Sequence, residues 1–168
     1  MATESTALLQ ILAHASLVPD SAVDPGAEGE LVLNIDNGST GERWSTGTGS
    51  GEIDRILMRT RAITASATQS YNLLAAGSLT DALGQTIDAD ELKGLVVECV
   101  TGAIAIEAPA AAFLPIFADA SGSILLSAGH YFAMSFGAAG LDVTAGASFD
   151  ITDTSGTSSY KLWAIIAQ

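Results

Sequence analysis

Glycine is what most restricts the folds open to this chain. Gly122, Gly129, Gly137, Gly140, Gly146 and Gly156 punctuate its second half at turn positions. A helix interior loses roughly 1 kcal/mol at each glycine relative to alanine, and no segment between these residues is long enough for a substantial helix. Short strands do fit between them. Runs bounded by turn signals lie at Ile53–Ile63, Tyr71–Leu74, Leu92–Val100, Ala103–Glu107, Ile124–Ser127, His130–Phe136, Ala147–Thr152 and Ser159–Ile166. Short strands at this spacing predict an all-β fold, a sandwich or a barrel.

The period within the runs supports that class. Phe149 and Ile151 interleave with Ser148, Asp150 and Thr152, and Tyr160, Leu162, Ala164 and Ile166 share one face. Alternation with period two places one set inward and the other outward. Leu95, Val96 and Val97 run without a polar break, which predicts a strand covered on both faces.

The N-terminal part reads differently. From Ser5 to Val18 the apolar positions 8, 9, 11, 12, 15 and 18 come close to a helical period before Pro19, so a short helix or a docked extended arm is expected. Pro19–Glu30 holds two prolines, two glycines and four acids and reads as a linker. Leu31–Ile35 is a strand candidate ended by the Asn37-Gly38 turn. The Ser/Thr/Gly loop Ser45–Gly51 marks the main boundary, giving an arm and linker over residues 1–45 and a sandwich over 46–168.

Nineteen acids against six bases give a net charge of −13, a field that repels nucleic-acid phosphates and anionic membrane surfaces. Neither is expected as a partner. Four of the six bases, Arg43, Arg55, Arg59 and Arg61, lie close together and form a strip suited to an acidic neighbour, its own or another subunit's. The apolar stretches are broken by Gly, Pro or Asp short of a membrane span, and no positive n-region marks a signal peptide. Cys99 is the single cysteine, so no internal disulfide forms and the chain suits a reducing cytoplasm.

Candidate chemistry is sparse. His14 and His130 lack a Ser or Cys in a context that pairs with them, and a triad needs an orienting acid as well. Gly47–Gly51 has the glycines of a phosphate loop without its Gly-Lys-Ser/Thr ending. Asp88, Asp90 and Glu91 form one acid cluster and Asp150 with Asp153 another, neither with the spacing of a calcium loop. Asn37-Gly38-Ser39 is a formal glycosylation sequon, without meaning in a bacterial host. No catalytic residue, cofactor or metal is expected.

A family resemblance adds to this reading. Trp44-Ser45-Thr46-Gly47-Thr48-Gly49, Asp54-Arg55-Ile56, Thr60-Arg61 and Leu73-Leu74-Ala75-Ala76-Gly77-Ser78-Leu79-Thr80-Asp81-Ala82-Leu83-Gly84 resemble segments of small virion structural proteins of tailed phages and prophages. Those proteins carry a W-x-x-G-T-G segment, a D-T-R-T-like strand and an L-A-G-x-L-T-x-A-x-G turn. Leu92–Val97, Val143–Gly146 and Tyr160–Ile166 are similar to further strands and a turn of the group. The match runs from Trp44 to the C-terminus, and the L-T-D-A-L-G turn is its most specific element. Ile87–Glu91 is more acidic than the matching segment, and residues 1–43 are longer than the family's N-terminal part.

The resemblance implies a jelly-roll-like antiparallel sandwich with an N-terminal arm, standing on the virion without catalysis. A capsid decoration (cement) protein, trimeric and seated on the major capsid protein, is the expectation; a tail, fibre or receptor- or carbohydrate-binding sandwich is the alternative. Partner contact is expected at Leu8, Leu9, Ile11, Leu12, Leu17 and Val18 of the arm, and at Arg43, Trp44, Arg55, Arg59 and Arg61. Burying a Leu or Ile contributes about 1.5–3 kcal/mol, so five or six such residues docked on a neighbour supply much of one subunit's binding energy.

Overall fold

The computed structural model describes residues 11–14, 31–35, 45–46, 52–53 and 55–168, apart from 82–83 and 138. The chain divides into two compact units, Met1–Arg43 and Trp44–Gln168.

In the first unit β1 (Ile11–His14) runs antiparallel to β2 (Leu31–Ile35), with Ile11 opposite Ile35 and Leu12 opposite Asn34. The ladder is irregular at His14, which pairs with both Leu31 and Val32. The helix considered for this stretch is therefore corrected over residues 11–14. Isolated helices of about a dozen residues are marginal, whereas a second strand pairs the backbone groups that face it. The rest of Ser5–Val18 lies outside the described residues, as do the linker, the Asn37-Gly38 turn and Gly47–Gly51.

The second unit opens with two short parallel segments, β3 (Ser45–Thr46) and β4 (Glu52–Ile53). Nine strands follow: β5 (Arg55–Thr64), β6 (Thr68–Asn72), β7 (Glu91–Thr101), β8 (Ala103–Glu107), β9 (Ser123–Ser127), β10 (Tyr131–Ser135), β11 (Leu141–Asp142), β12 (Ser148–Asp153) and β13 (Thr157–Ala167). Among the described residues the one helical element is a 3-10 turn at Ala75–Gly77.

Two antiparallel sheets form the body. The first has the order β10-β7-β13-β5, with β11 also on β7; the second has the order β6-β12-β8-β9. Strand β5 pairs with β13, β6 with β12, β7 with β10 and β8 with β9, every pair antiparallel. These four ladders are the rungs of one long hairpin, wound so that successive rungs fall alternately in the two sheets. Pairing of β7 with β13 and of β8 with β12 then joins the rungs within each sheet. Eight strands rolled in this way are a jelly roll.

The core lies between the sheets and follows the period-two pattern. Tyr160, Leu162, Ala164 and Ile166 are fully buried on one side, and Phe149, Ile151, Ile104 and Ile106 on the other. Tyr71 of β6 stacks on Phe149 with ring centroids 5.1 Å apart, and its hydroxyl meets that of Tyr160 at 2.6 Å. That hydrogen bond ties the two sheets together through the apolar interior, where each hydroxyl would otherwise be left unsatisfied.

Every residue of β7 from Leu92 to Val97 is buried, and over Leu95–Val97 this is what the unbroken apolar run predicts. Lys93 falls at a bulge, because β13 passes from Ile165 opposite Gly94 to Ile166 opposite Leu92. Its fully buried side chain meets the carboxylate of Glu91. Gly140 lies against it at φ +74°, and a Cβ there would come within 2.9 Å of Lys93 Cδ. Only glycine combines that backbone angle with that approach.

Candidate interaction surfaces

In the most specific segment of the sequence resemblance, Leu79–Asp81 pairs with Gln85–Ile87 as a small hairpin. Thr80 and Thr86 form its closing bridge, Ile87 N–H donates to Leu79 O at 2.9 Å, and Asp81 N–H donates to Gln85 O at 2.8 Å. The buried Asp81 carboxylate accepts Gln85 N–H at 2.8 Å, which braces the turn from inside. Gly84 sits at φ +80°.

Strand β5 holds this hairpin with two arginines. Arg55 Nε lies 3.8 Å from Asp81 Oδ2, and Arg59 Nη2 donates to Thr80 O at 2.7 Å. Arg55, Leu57, Arg59, Arg61 and Ile63 all fall on the same side of β5, with Leu57 and Ile63 in the core. Because β5 is an edge strand, its inward guanidinium groups reach the loop that closes the sandwich between β6 and β7. Asp81 thus gives Arg55 an acidic neighbour within its own chain. Arg61 is exposed, and its charge bears on the buried Tyr71 and Tyr160 hydroxyls.

The other candidates are placed as follows. Leu8, Leu9, Leu17, Val18, Arg43 and Trp44 lie outside the described residues; Ile11 and Leu12 belong to β1. His130 is exposed in the turn between β9 and β10, and its N–H donates to Ser127 O at 2.9 Å. Cys99 is fully buried beside the Thr101 and Gly102 carbonyls, and burial pushes its thiol pKa up.

Members of both acid clusters are engaged in local hydrogen bonds. Asp88 accepts Ala75 N–H at 2.8 Å. Asp153, buried at the start of the last turn, accepts the Ser158 hydroxyl together with the N–H groups of Gly156 at 2.8 Å and Ser66 at 3.2 Å. The Ser158 hydroxyl, followed by those backbone donors, holds its carboxyl below the usual carboxylate range. Among the described residues no three His, Cys, Asp or Glu side chains converge as a metal site would require.

Sequence reasoning did not foresee how the sandwich edges differ. Strands β5 and β6 are joined by residues 65–67 and are outermost in their sheets, so they share a flank. Strands β9 and β10, joined by residues 128–130, share the opposite one. Arginines line the first flank. On the second, residues 120–141 carry no Asp, Glu, Lys or Arg, the longest such stretch in the chain. Leu125 is 73% exposed and Tyr131 48% exposed there. The signal was present as a gap in the charge pattern between Asp119 and Asp142.

Apart from the Ser127 carbonyl, which accepts the His130 N–H, the backbone of β9 is open along its outer side. Ala108 N–H donates to Gly122 O and Ala128 N–H to Gly102 O, both at 2.9 Å. These bonds fix the phase of the β8 ladder: Ile124 and Leu126 exchange hydrogen bonds with β8, while Ser123, Leu125 and Ser127 turn their N–H and C=O groups away from it. All three side chains are exposed. Compared with known proteins, the chain matches no family model and no curated protein.

Proposed function

We propose that this protein is a structural component of a tailed-phage particle, a decoration protein that seats on the outer capsid surface, contacts the major capsid protein and stabilises the shell. The observation that carries the reading is the strand order. A jelly roll is the fold that the sequence resemblance implies, and its most specific motif here forms a defined hairpin on the β5 edge. Jelly rolls serve many roles, so the assignment to a virion rests on the resemblance, with the fold in agreement.

Physical considerations favour the same role. A shell-binding protein has to resist unfolding and proteolysis, and this roll has a continuous apolar core with its connections tied down by backbone hydrogen bonds. A charge of −13 discourages aggregation among densely packed copies. Closed rotational symmetry is the common solution for repeated surface proteins, and a trimer is the form the resemblance points to. The reading assigns no catalytic step, cofactor, nucleic acid or membrane.

Electron cryo-microscopy of particles carrying a label at one terminus of this protein tests the proposal. Label density on the outer shell is the expected result. Density confined to the tail would replace decoration with a tail or fibre role, and particles without label would remove the virion assignment.

A further inference from the structure

We infer that strand β9 is a self-association edge, which pairs antiparallel with β9 of a second copy about a two-fold axis through Leu125. The inference goes beyond the particle reading and does not depend on it. Three observations converge on that occupant. The outward N–H and C=O groups of Ser123 and Leu125 and the outward N–H of Ser127 form a ladder with one side unused, the template that invites another strand. Natural edges of this kind are blunted by charge, proline or a bulge, and the sequence Ser-Ile-Leu-Leu-Ser has none of these.

The segment is also complementary to itself. Antiparallel pairing centred on Leu125 sets Leu125 against its counterpart, Ser123 against Ser127 and Ile124 against Leu126 of the second copy. Small polar residues meet small polar residues, apolar meet apolar, the Leu125 pair exchanges both hydrogen bonds, and each Ser127 N–H meets the Ser123 carbonyl of the other copy. An isologous contact demands this symmetry, whereas an unrelated partner strand does not.

Charge selects the same sector. Two bodies of −13 repel, and the least costly approach is through the surface that brings no carboxylates together. The charge-free stretch 120–141 supplies both edge strands of this flank, and exposed Tyr131 on β10 adds apolar area beside the seam. A two-fold contact joins copies, or rings of copies, in pairs, so the assemblies hold even numbers of chains.

Sedimentation equilibrium of the full-length protein, at low and at high ionic strength, gives the first test. A dimer that strengthens with salt is expected, because screening weakens the repulsion while the seam contains no ion pair to lose. Leu125→Lys sets two like charges against each other and should weaken association about tenfold or more, with the circular dichroism spectrum unchanged. Register is read by oxidation. Cα atoms across a hydrogen-bonded antiparallel pair are about 5.5 Å apart, within disulfide range, so Leu125→Cys should give a covalent dimer. Ser123→Cys should not, since its counterpart faces Ser127, and buried Cys99 offers no competing accessible thiol. A monomer under all conditions, unchanged association of Leu125→Lys, or equal cross-linking by Ser123→Cys would each overturn the inference.

Discussion

Along one flank of the sandwich, β5 brings Arg55, Arg59 and Arg61 to the edge, and two of them hold the Thr80–Thr86 hairpin against it. Along the other, β9 and β10 present no charged side chain, and Leu125 stands exposed. Both flanks face the same problem, since an edge strand leaves every second N–H and C=O without a ladder partner. The β5 side meets it with charge and with a loop of its own chain. The β9 side leaves the outward groups of Ser123 and Leu125 to solvent or to a second copy. One rolled hairpin therefore carries a flank finished within the molecule and a flank suited to association.

The largest effect expected in this comparison comes from the inward face of the open strand. Leu126 is buried in the core one residue away from exposed Leu125. Leu126→Ala should cost about 2–5 kcal/mol, the range for deleting a core leucine that leaves a cavity. For a chain of this size that lowers the melting temperature by roughly 4–20 °C, measurable by differential scanning calorimetry. A loss under about 0.5 kcal/mol would show that β9 is not packed as the roll requires.

On the closed flank, Asp81→Ala removes the acceptor for Gln85 N–H and the carboxylate 3.8 Å from Arg55 Nε. The hydrogen bonds of a charged group are worth about 1.5–3 kcal/mol, and partial exposure of the Arg55 side chain keeps the ion pair itself toward the weak end. Urea unfolding should show a loss of about 1–3 kcal/mol. The Leu79–Ile87 segment should also become more susceptible to limited proteolysis, which a loss spread through the core would not produce locally.

The difference in legibility between the flanks has a physical origin. Strands with one solvated face announce themselves through alternation, and β8, β9, β10, β12 and β13 lie within two residues of their expected positions at each end. Strand β6 begins at Thr68 and ends at Asn72, earlier than Tyr71–Leu74, because Thr68, Gln69 and Ser70 lie on an edge where burial does not select apolar residues. Lys93 reads as a polar break, yet the bulge and Gly140 allow its buried side chain to reach Glu91. The grip of Arg55 and Arg59 on a hairpin more than twenty residues along the chain depends on which strands are outermost. Sheet order follows from long-range pairing, which local periodicity does not encode.

Tyr71, on the closed flank, tests the tie across the core. Burial raises the Tyr71 pKa above its ordinary value of 10.0, and burial followed by the Tyr71 hydroxyl raises that of Tyr160 further. An acid whose pKa is raised on folding contributes stability in full below its unfolded value, and the contribution is lost as pH climbs through the folded value. Stability should thus fall above about pH 10, the unfolded tyrosine range. Tyr71→Phe should lower stability at neutral pH by about 1–2 kcal/mol, since the Tyr160 hydroxyl loses its partner. Its alkaline decline should be shallower than in the parent, as one fewer phenol has to stay neutral. Urea midpoints from neutral to alkaline pH give both values, and parallel curves for the two proteins would remove the linkage argument.

The smallest effect belongs to the residue that defines the open flank. Leu125 is 73% exposed on the outer face of its sheet, opposite Ala105. In dilute solution, where association is negligible, Leu125→Ala removes little buried area and should change stability by less than about 0.5 kcal/mol. The contrast with Leu126→Ala is a test of register as much as of packing. A shift of β9 by one residue against β8 would turn Leu125 inward and Leu126 outward, exchanging the two costs and placing different backbone groups on the open edge. Equal costs at both positions would mean that the strand is covered on both faces, and the difference between the flanks would disappear. A near-neutral Leu125→Ala beside a costly Leu126→Ala fixes the phase of the strand, and with it which N–H and C=O groups are offered outward.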